Sequence, residues 1–216
     1  MHRTRIKICG MRKVDDALAA AAAGADAIGL IFYQASPRAI GIDQALAIRS
    51  ALPPFVSTVA LFVNAERAEV ESVLAEVKPG LLQFHGDEDE SYCASFRTPY
   101  LKAVRVGTGT SANDLLQFRT RFASASGLLL DTLHASQYGG TGESFDWRVI
   151  PGEMRGQIVL SGGLTPHNVG GAIRAIRPWA VDISSGVEAA KGEKGVKDHA
   201  KIAEFINEVR RADQGL

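Results

Sequence analysis

Ile6-Lys7-Ile8-Cys9-Gly10 closes the first apolar run of the chain. Side chains alternate along a strand, so Lys7 and Cys9 share one face while Ile6 and Ile8 take the other. A cation therefore lies beside a thiol. Gly10 breaks the strand and leaves the sulfur at its C-terminal tip, where a ligand can reach it. The same form, a short apolar run bounded by Gly, Pro or charge, recurs seven times downstream. The runs are Ala27 to Phe32, Thr58 to Asn64, Leu81 to His85, Leu101 to Val106, Gly127 to Asp131, Ile158 to Ser161 and Ala180 to Ser184.

Most of these runs are separated by a segment with helical spacing. Val70, Val73, Leu74 and Val77 fall on one helical stripe, with Asn64 read as the cap before it. Asp87 with Glu90 has the form of a capping box, and Thr165-Pro166 reads as a helix start with proline in first position. Ala17 to Ala23 is a strong helix former stopped by Gly24. Ile202, Phe205, Ile206 and Val209 line one side of a last helix. The sixth unit is the exception. Leu133 to Phe145 is rich in Gly, Ser and Thr, and only Asp146 to Ile150 can form a short helix.

Strictly alternating strands and helices imply a parallel sheet covered on both faces or closed on itself. Eight units favour closure. The chain therefore reads as α/β, a single (β/α)8 TIM barrel over residues 1–216, with its active site at the C-terminal ends of the strands. An open doubly wound sheet is the alternative, but no Gly-x-Gly-x-x-Gly fingerprint follows the first strand. Closure gathers the tips Cys9, Phe32, Asn64, His85, Val106, Asp131, Gly162 and Ser184 into one mouth.

The chain has 216 residues, 46% hydrophobic, with 24 Lys plus Arg against 24 Asp plus Glu. That is enough for one well-buried core, and the balanced charge gives no global attraction to nucleic acid or an anionic membrane. A small molecule is the expected partner. No run approaches the roughly 20 apolar residues of a membrane span, and the basic Met1 to Lys7 is not followed by a signal-peptide core. With two cysteines, Cys9 and Cys93, the expectation is a cytoplasmic protein with both thiols reduced. The sequence says nothing of oligomeric state.

Free cysteines usually just pack, and Cys93, in Tyr92-Cys93-Ala94, reads that way. Cys9 differs by its strand tip and by Lys7, a cation expected to lower the thiol pKa. Asp131 follows Leu128-Leu129-Leu130, where a carboxylate needs a partner or a changed protonation state. A cap or a structural ion pair would satisfy it. On opposite sides of a barrel mouth, Cys9 and Asp131 suit a base and an acid working on two atoms of one substrate. The working state would be thiolate plus protonated carboxyl, favoured if Lys7 lowers one pKa and burial raises the other.

Ser161-Gly162-Gly163 leads toward the helix at Thr165-Pro166, and Ser184-Ser185-Gly186 follows the eighth strand. Glycine-rich turns expose N–H groups that hold a phosphate, and turns after the seventh and eighth strands match the phosphate site of many barrels. Gly140 and Gly142, in Gly139-Gly140-Thr141-Gly142, are candidates to close over the same ligand, with plain loop flexibility as the alternative. Arg38, in Ser36-Pro37-Arg38, is a fork-shaped donor for a substrate carboxylate, unless it is simply solvated. Gln83 and His85 share the inward face of strand four, and Asp182 can orient a sugar hydroxyl or satisfy backbone groups. One tip histidine and no paired-His spacing argue against a catalytic metal.

These residues resemble phosphoribosylanthranilate isomerases, through nearly the whole chain. The carrying motifs are Lys7-Ile8-Cys9-Gly10, Ser36-Pro37-Arg38, Gln83-Phe84-His85-Gly86, Leu130-Asp131-Thr132, Gly139-Gly140-Thr141-Gly142, Ser161-Gly162-Gly163-Leu164 and Asp182-Ile183-Ser184-Ser185-Gly186-Val187-Glu188. The resemblance implies a cofactor-independent Amadori rearrangement of N-(5-phosphoribosyl)anthranilate to 1-(2-carboxyphenylamino)-1-deoxyribulose 5-phosphate in tryptophan biosynthesis. It implies Asp131 as the acid that opens the furanose ring, Cys9 as the base at C2 and Arg38 on the anthranilate carboxylate. Two positions depart from the family pattern. Phe84 stands where leucine is usual, on the face away from the mouth, and residues 189–198 form a longer, more charged link than the usual short one.

An indole-glycerol-phosphate synthase would be expected to use lysine and glutamate, and a metal-dependent epimerase would show several tip histidines. A barrel that binds a phosphorylated metabolite without turnover is the rival of another class, and it has no need of both an acid and a base.

Overall fold

The computed structural model describes residues 3–133, 144–190 and 194–215. Eight parallel strands close in sequence order: β1 (Arg5–Cys9), β2 (Ala27–Ile31), β3 (Ser57–Phe62), β4 (Leu81–Phe84), β5 (Tyr100–Val106), β6 (Gly127–Thr132), β7 (Ile158–Leu160) and β8 (Ala180–Ile183). β8 pairs back onto β1, with Lys7 opposite Asp182. Each of the eight apolar runs is a strand because both of its faces are buried, one in the barrel and one beneath the helices.

The helices are α1 (Val14–Ala23), α2 (Ile42–Ala51), α3 (Arg67–Glu76), α4 (Glu90–Ala94), α5 (Ala112–Arg121), α6 (Val169–Ile176) and α7 (His199–Gln214). No α-helix links β6 to β7 among the described residues. Two 3-10 turns, Trp147–Val149 and Gly152–Met154, stand there instead, the first capped by Asp146. The Gly139 to Gly142 loop lies outside the described residues, as do residues 191–193 of the charged link. No described helix is long and apolar enough to cross a membrane.

Ile8, Phe62, Phe84, Leu130, Ile202 and Phe205 are among the residues filling the layer between barrel and helices. Each such side chain contributes about 1.5–3 kcal/mol by burial. Phe84 does face away from the mouth, packing against Phe62, Phe96, Tyr92 and Tyr100. Gly24 ends α1 at φ +110, its N–H bonding back to Ala20 and Ala21.

Three helix starts differ from the sequence expectation. Asn64 does not cap α3, whose cap position is Glu66. It takes a left-handed backbone, φ +49, which asparagine tolerates, and its side chain accepts from the Asp87 N–H. The cap of α4 is Asp89, accepting from Tyr92, rather than Asp87. α6 begins at Val169, one turn beyond Thr165, because Asn168 accepts from the Thr165 N–H and donates to the Gly163 carbonyl.

Inside the barrel, Leu81, Leu101, Ala103, Leu129, Val159 and Ala180 form an apolar plug near the strand starts. Above it the interior turns polar. Lys7, Gln83, His85, Asp131 and Asp182 are all buried. This polarity, set by inward-facing positions one pleat further along each strand, confines the chemistry to the C-terminal end.

Candidate active site

Cys9 ends β1 with only 3% of its surface exposed. Gly10 and Met11 both donate to the Gly29 carbonyl, and Gly10 turns the chain away at φ +77. Gly29 stands opposite Cys9 in the sheet, and a β-carbon there would lie 2.6 Å from the sulfur and 2.9 Å from the Cys9 Cα. The thiol exists where it does because its neighbour lacks a side chain. Gly29→Ala is therefore expected to lower stability by about 1–3 kcal/mol through overpacking and to displace the sulfur. Calorimetry and kcat on the same sample check it, and an unchanged melting temperature with full activity would refute it.

Lys7 does not point its charge at the thiol alone. Its Nζ lies 2.7 Å from Asp182 Oδ1, a buried pair in which loss of either partner costs about 3–5 kcal/mol. Burial works against the ammonium, but Asp182 and Cys9 outweigh it and hold the Lys7 pKa above its ordinary value. For Cys9 the balance runs the other way. Burial is the largest influence and pushes the thiol up, Lys7 pulls it down, and Asp182 pushes it up again. The expected lowering of the Cys9 pKa is thus corrected: desolvation wins, and the resting group at neutral pH is the thiol. Burial also pushes Cys93 up to about 12, so that cysteine is an inert part of the core.

Asp131 lies on β6, three strands from β1 around the closed barrel, and lines the same cavity as Cys9. Its Oδ1 accepts from the Thr132 N–H at 2.9 Å, and its Oδ2 is 3.0 Å from His85 Nε2. His85 Nδ1 is in turn 2.9 Å from Gln83 Nε2. Behind this chain of groups, buried Lys102 donates to the Gly86 carbonyl and to Glu88, which accepts from the Asn64 N–H. That latch ties β5 to the loops after β3 and β4 and fixes the turn after His85.

Arg38 is buried, not solvated. Its Nε and Nη2 bind Glu188 at 2.5 and 3.2 Å, which uses two of its five donors. Lys197 approaches Glu188 at 3.3 Å and donates to the Ser184 carbonyl at 2.9 Å. Two cations share one carboxylate, so this corner carries excess positive charge. The Ser184 hydroxyl donates to the Cys9 carbonyl. Asp182 holds Lys7 and accepts from Ser161 at 3.3 Å.

Gly162 and Gly163 take φ +81 and +62, and a β-carbon on Gly162 would strike Thr132 at 2.3 Å. Gly186 packs against the Leu164 carbonyl, so the turns after β7 and β8 are in contact. Among the described residues, none of the turn and cap hydrogen bonds is donated by the N–H of Gly162, Gly163, Ser185 or Gly186. Gly140 and Gly142 lie outside the described residues.

The structure brings Cys9, Arg38, His85, Asp131, Asp182 and Ser184 to one cavity. It adds an apolar wall of Ile31, Tyr33, Leu61 and Val63 that the sequence reading passed over. Inward alternation on β2 and β3 carried that signal. Lys197 was also missed, because its role depends on an antiparallel bridge that pairs it with Glu188. Among the described residues, no group of three or more His, Cys, Asp or Glu could hold a metal ion.

Residues 6–208 match the family model described as N-(5'phosphoribosyl)anthranilate (PRA) isomerase. The N-(5'-phosphoribosyl)anthranilate isomerase of Pseudomonas fluorescens (strain Pf0-1) is 53% identical over 210 residues, 97% of this chain and 100% of that one. The crystal structure of phosphoribosyl anthranilate isomerase from Thermotoga maritima superposes with a TM-score of 0.84 at 38% identity, covering 96% of this chain and 99% of that one. A structure of such an isomerase in complex with reduced 1-(o-carboxyphenylamino)-1-deoxyribulose 5-phosphate has a TM-score of 0.79 at 36% identity, covering 96% and 99%.

Proposed function

The chain belongs to the N-(5'-phosphoribosyl)anthranilate isomerase family, and we propose that it catalyses the Amadori rearrangement of N-(5-phosphoribosyl)anthranilate to 1-(2-carboxyphenylamino)-1-deoxyribulose 5-phosphate. The observation that carries this reading is one cavity lined by a thiol from β1 and a carboxyl from β6. The work is that of tryptophan biosynthesis, done in the cytoplasm by residues 1–216 as one catalytic domain, on a phosphorylated small molecule and without a cofactor.

Asp131, protonated, gives its proton to the furanose ring oxygen. The C1–O bond breaks, and the nitrogen lone pair closes a cationic Schiff base. Cys9, as thiolate, takes the proton from C2, and the C–H electrons form the enolamine that tautomerises to the ketone. The positive charge of the Schiff base favours the thiolate at the step that needs it, offsetting the burial that keeps the sulfur protonated at rest.

Three features support the binding mode. The Arg38 and Lys197 corner has excess positive charge for the anthranilate carboxylate. The wall of Ile31, Leu61 and Val63 suits its ring. The N–H groups of Gly162, Gly163, Ser185 and Gly186 suit a phosphate, with Ser184 holding the second turn to β1. His85 and Asp182 border the sugar, His85 through Asp131 and Asp182 through Lys7.

Loss of phosphoribosylanthranilate fluorescence on adding the purified protein tests the proposal, and tight binding without turnover would overturn it in favour of a binding module. In the same assay Arg38→Ala is expected to raise KM about tenfold or more with kcat little changed, because the carboxylate is held equally in ground and transition states. A fall in kcat at constant KM would refute that role.

A further inference from the structure

Each turnover moves one proton from Asp131 to the sugar and one from C2 to Cys9, so Asp131 must regain a proton before the next. Around it, Gln83 is fully buried and His85 and Asp131 are 6% and 4% exposed. Gln83 Nε2 faces His85 Nδ1, while Gln83 Oε1 is buried with no hydrogen-bond partner. An unpartnered buried acceptor beside a functional chain of groups calls for a reason.

We propose that Gln83 is a positioning residue whose amide takes two orientations, one for each protonation state of Asp131, exchanged through the tautomer of His85. In the observed orientation the Gln83 N–H donates to Nδ1, so the neutral ring carries its proton on Nε2 and donates to Oδ2. Thr132 donates to Oδ1. Both Asp131 oxygens then accept, which suits the carboxylate. In the protonated state Oδ2–H donates to Nε2, the ring carries its proton on Nδ1, and the amide turns over so that Oε1 accepts it. The lone oxygen is the second position of this switch.

The balance is simple. One proton enters from water, the Nε2–H bond breaks, and Oδ2–H and Nδ1–H bonds form. No electrons are transferred. Rotation of the Oδ2–H then aims the proton at the ring oxygen. Turning the amide over without protonating Asp131 would set Gln83 Oε1 against the lone pair of a bare Nδ1, two acceptors facing each other, so the two events move together.

The inference rests on Asp131 being the general acid, and its readout is chosen to be separable from that. In protein with 15N-labelled histidine, with His85→Asn identifying the His85 signals among five histidines, the unliganded wild type at neutral pH should show Nε2 protonated and Nδ1 bare. Gln83→Glu, which offers only acceptors, should protonate Nδ1. Gln83→Leu should lower kcat by about tenfold or more with KM within about twofold, because the protonated state loses the acceptor for Nδ1–H. A bare Nδ1 in Gln83→Glu, a protonated Nδ1 in the resting wild type, or full kcat in Gln83→Leu would each overturn the switch. Inactivity of Asp131→Asn alongside any of these would leave the acid in place and remove only Gln83.

Discussion

Replacing Asp131 by Asn is expected to lower kcat by about a hundredfold or more, the scale of a lost proton-transfer group. The amide keeps the shape and can still accept from the Thr132 N–H that now reaches Oδ1, so the fold has little reason to change. It cannot give a proton to the ring oxygen. KM should move little, because the carboxylate and phosphate subsites lie on other strands. The variant should bind substrate without opening the ring, and steady-state kinetics with a binding titration on the same preparation check both halves. Unchanged turnover would remove Asp131 from the mechanism.

Cys9→Ser is expected to cost about as much, a hundredfold or more, for a different reason. Serine fits, since the Gly29 side of the site accommodates a larger sulfur. Its hydroxyl, however, is a far weaker acid than a thiol, and burial already outweighs Lys7 for the easier group. No alkoxide forms, so C2 keeps its proton. Ring opening by Asp131 is untouched, and the Schiff base or its hydrolysis products should build up during the reaction where none do in Asp131→Asn. Quenched-flow sampling distinguishes the two variants. Equal behaviour of both would contradict the division of labour.

The barrel was legible because parallel strands are buried on both faces, so their apolar runs stand out from flanking Gly, Pro and charge. Tip residues followed from strand ends, which is why Cys9, His85, Asp131 and Ser184 could be named. Caps were less legible. Asn64 and Asp87 satisfied the cap pattern, but the Asn64 side chain instead accepts from the Asp87 N–H and joins two loops, a tertiary contact that no local pattern encodes.

Electrostatics was least legible. Lys7 beside Cys9 was plain from alternation, yet the thiol pKa moves opposite to the expectation because burial outweighs the pull of Lys7, and Asp182, 175 residues away, adds negative charge beside the sulfur. The same holds for Arg38 and Glu188, 150 residues apart. Lys197 and Lys102, which the sequence reading did not single out, are buried in the structure. A charge's effect depends on its depth and its partner, and both are set by closure of the ring rather than by neighbours in the chain.

The most direct measurement is the structure of this protein with the reduced product analogue bound. The sugar C2 should lie within about 3–3.5 Å of the Cys9 sulfur, and the oxygen from the former furanose ring within about 2.6–3.2 Å of an Asp131 oxygen, on the opposite side of the sugar. Both groups on the same side, or either out of reach of its atom, would contradict the assignment of base and acid.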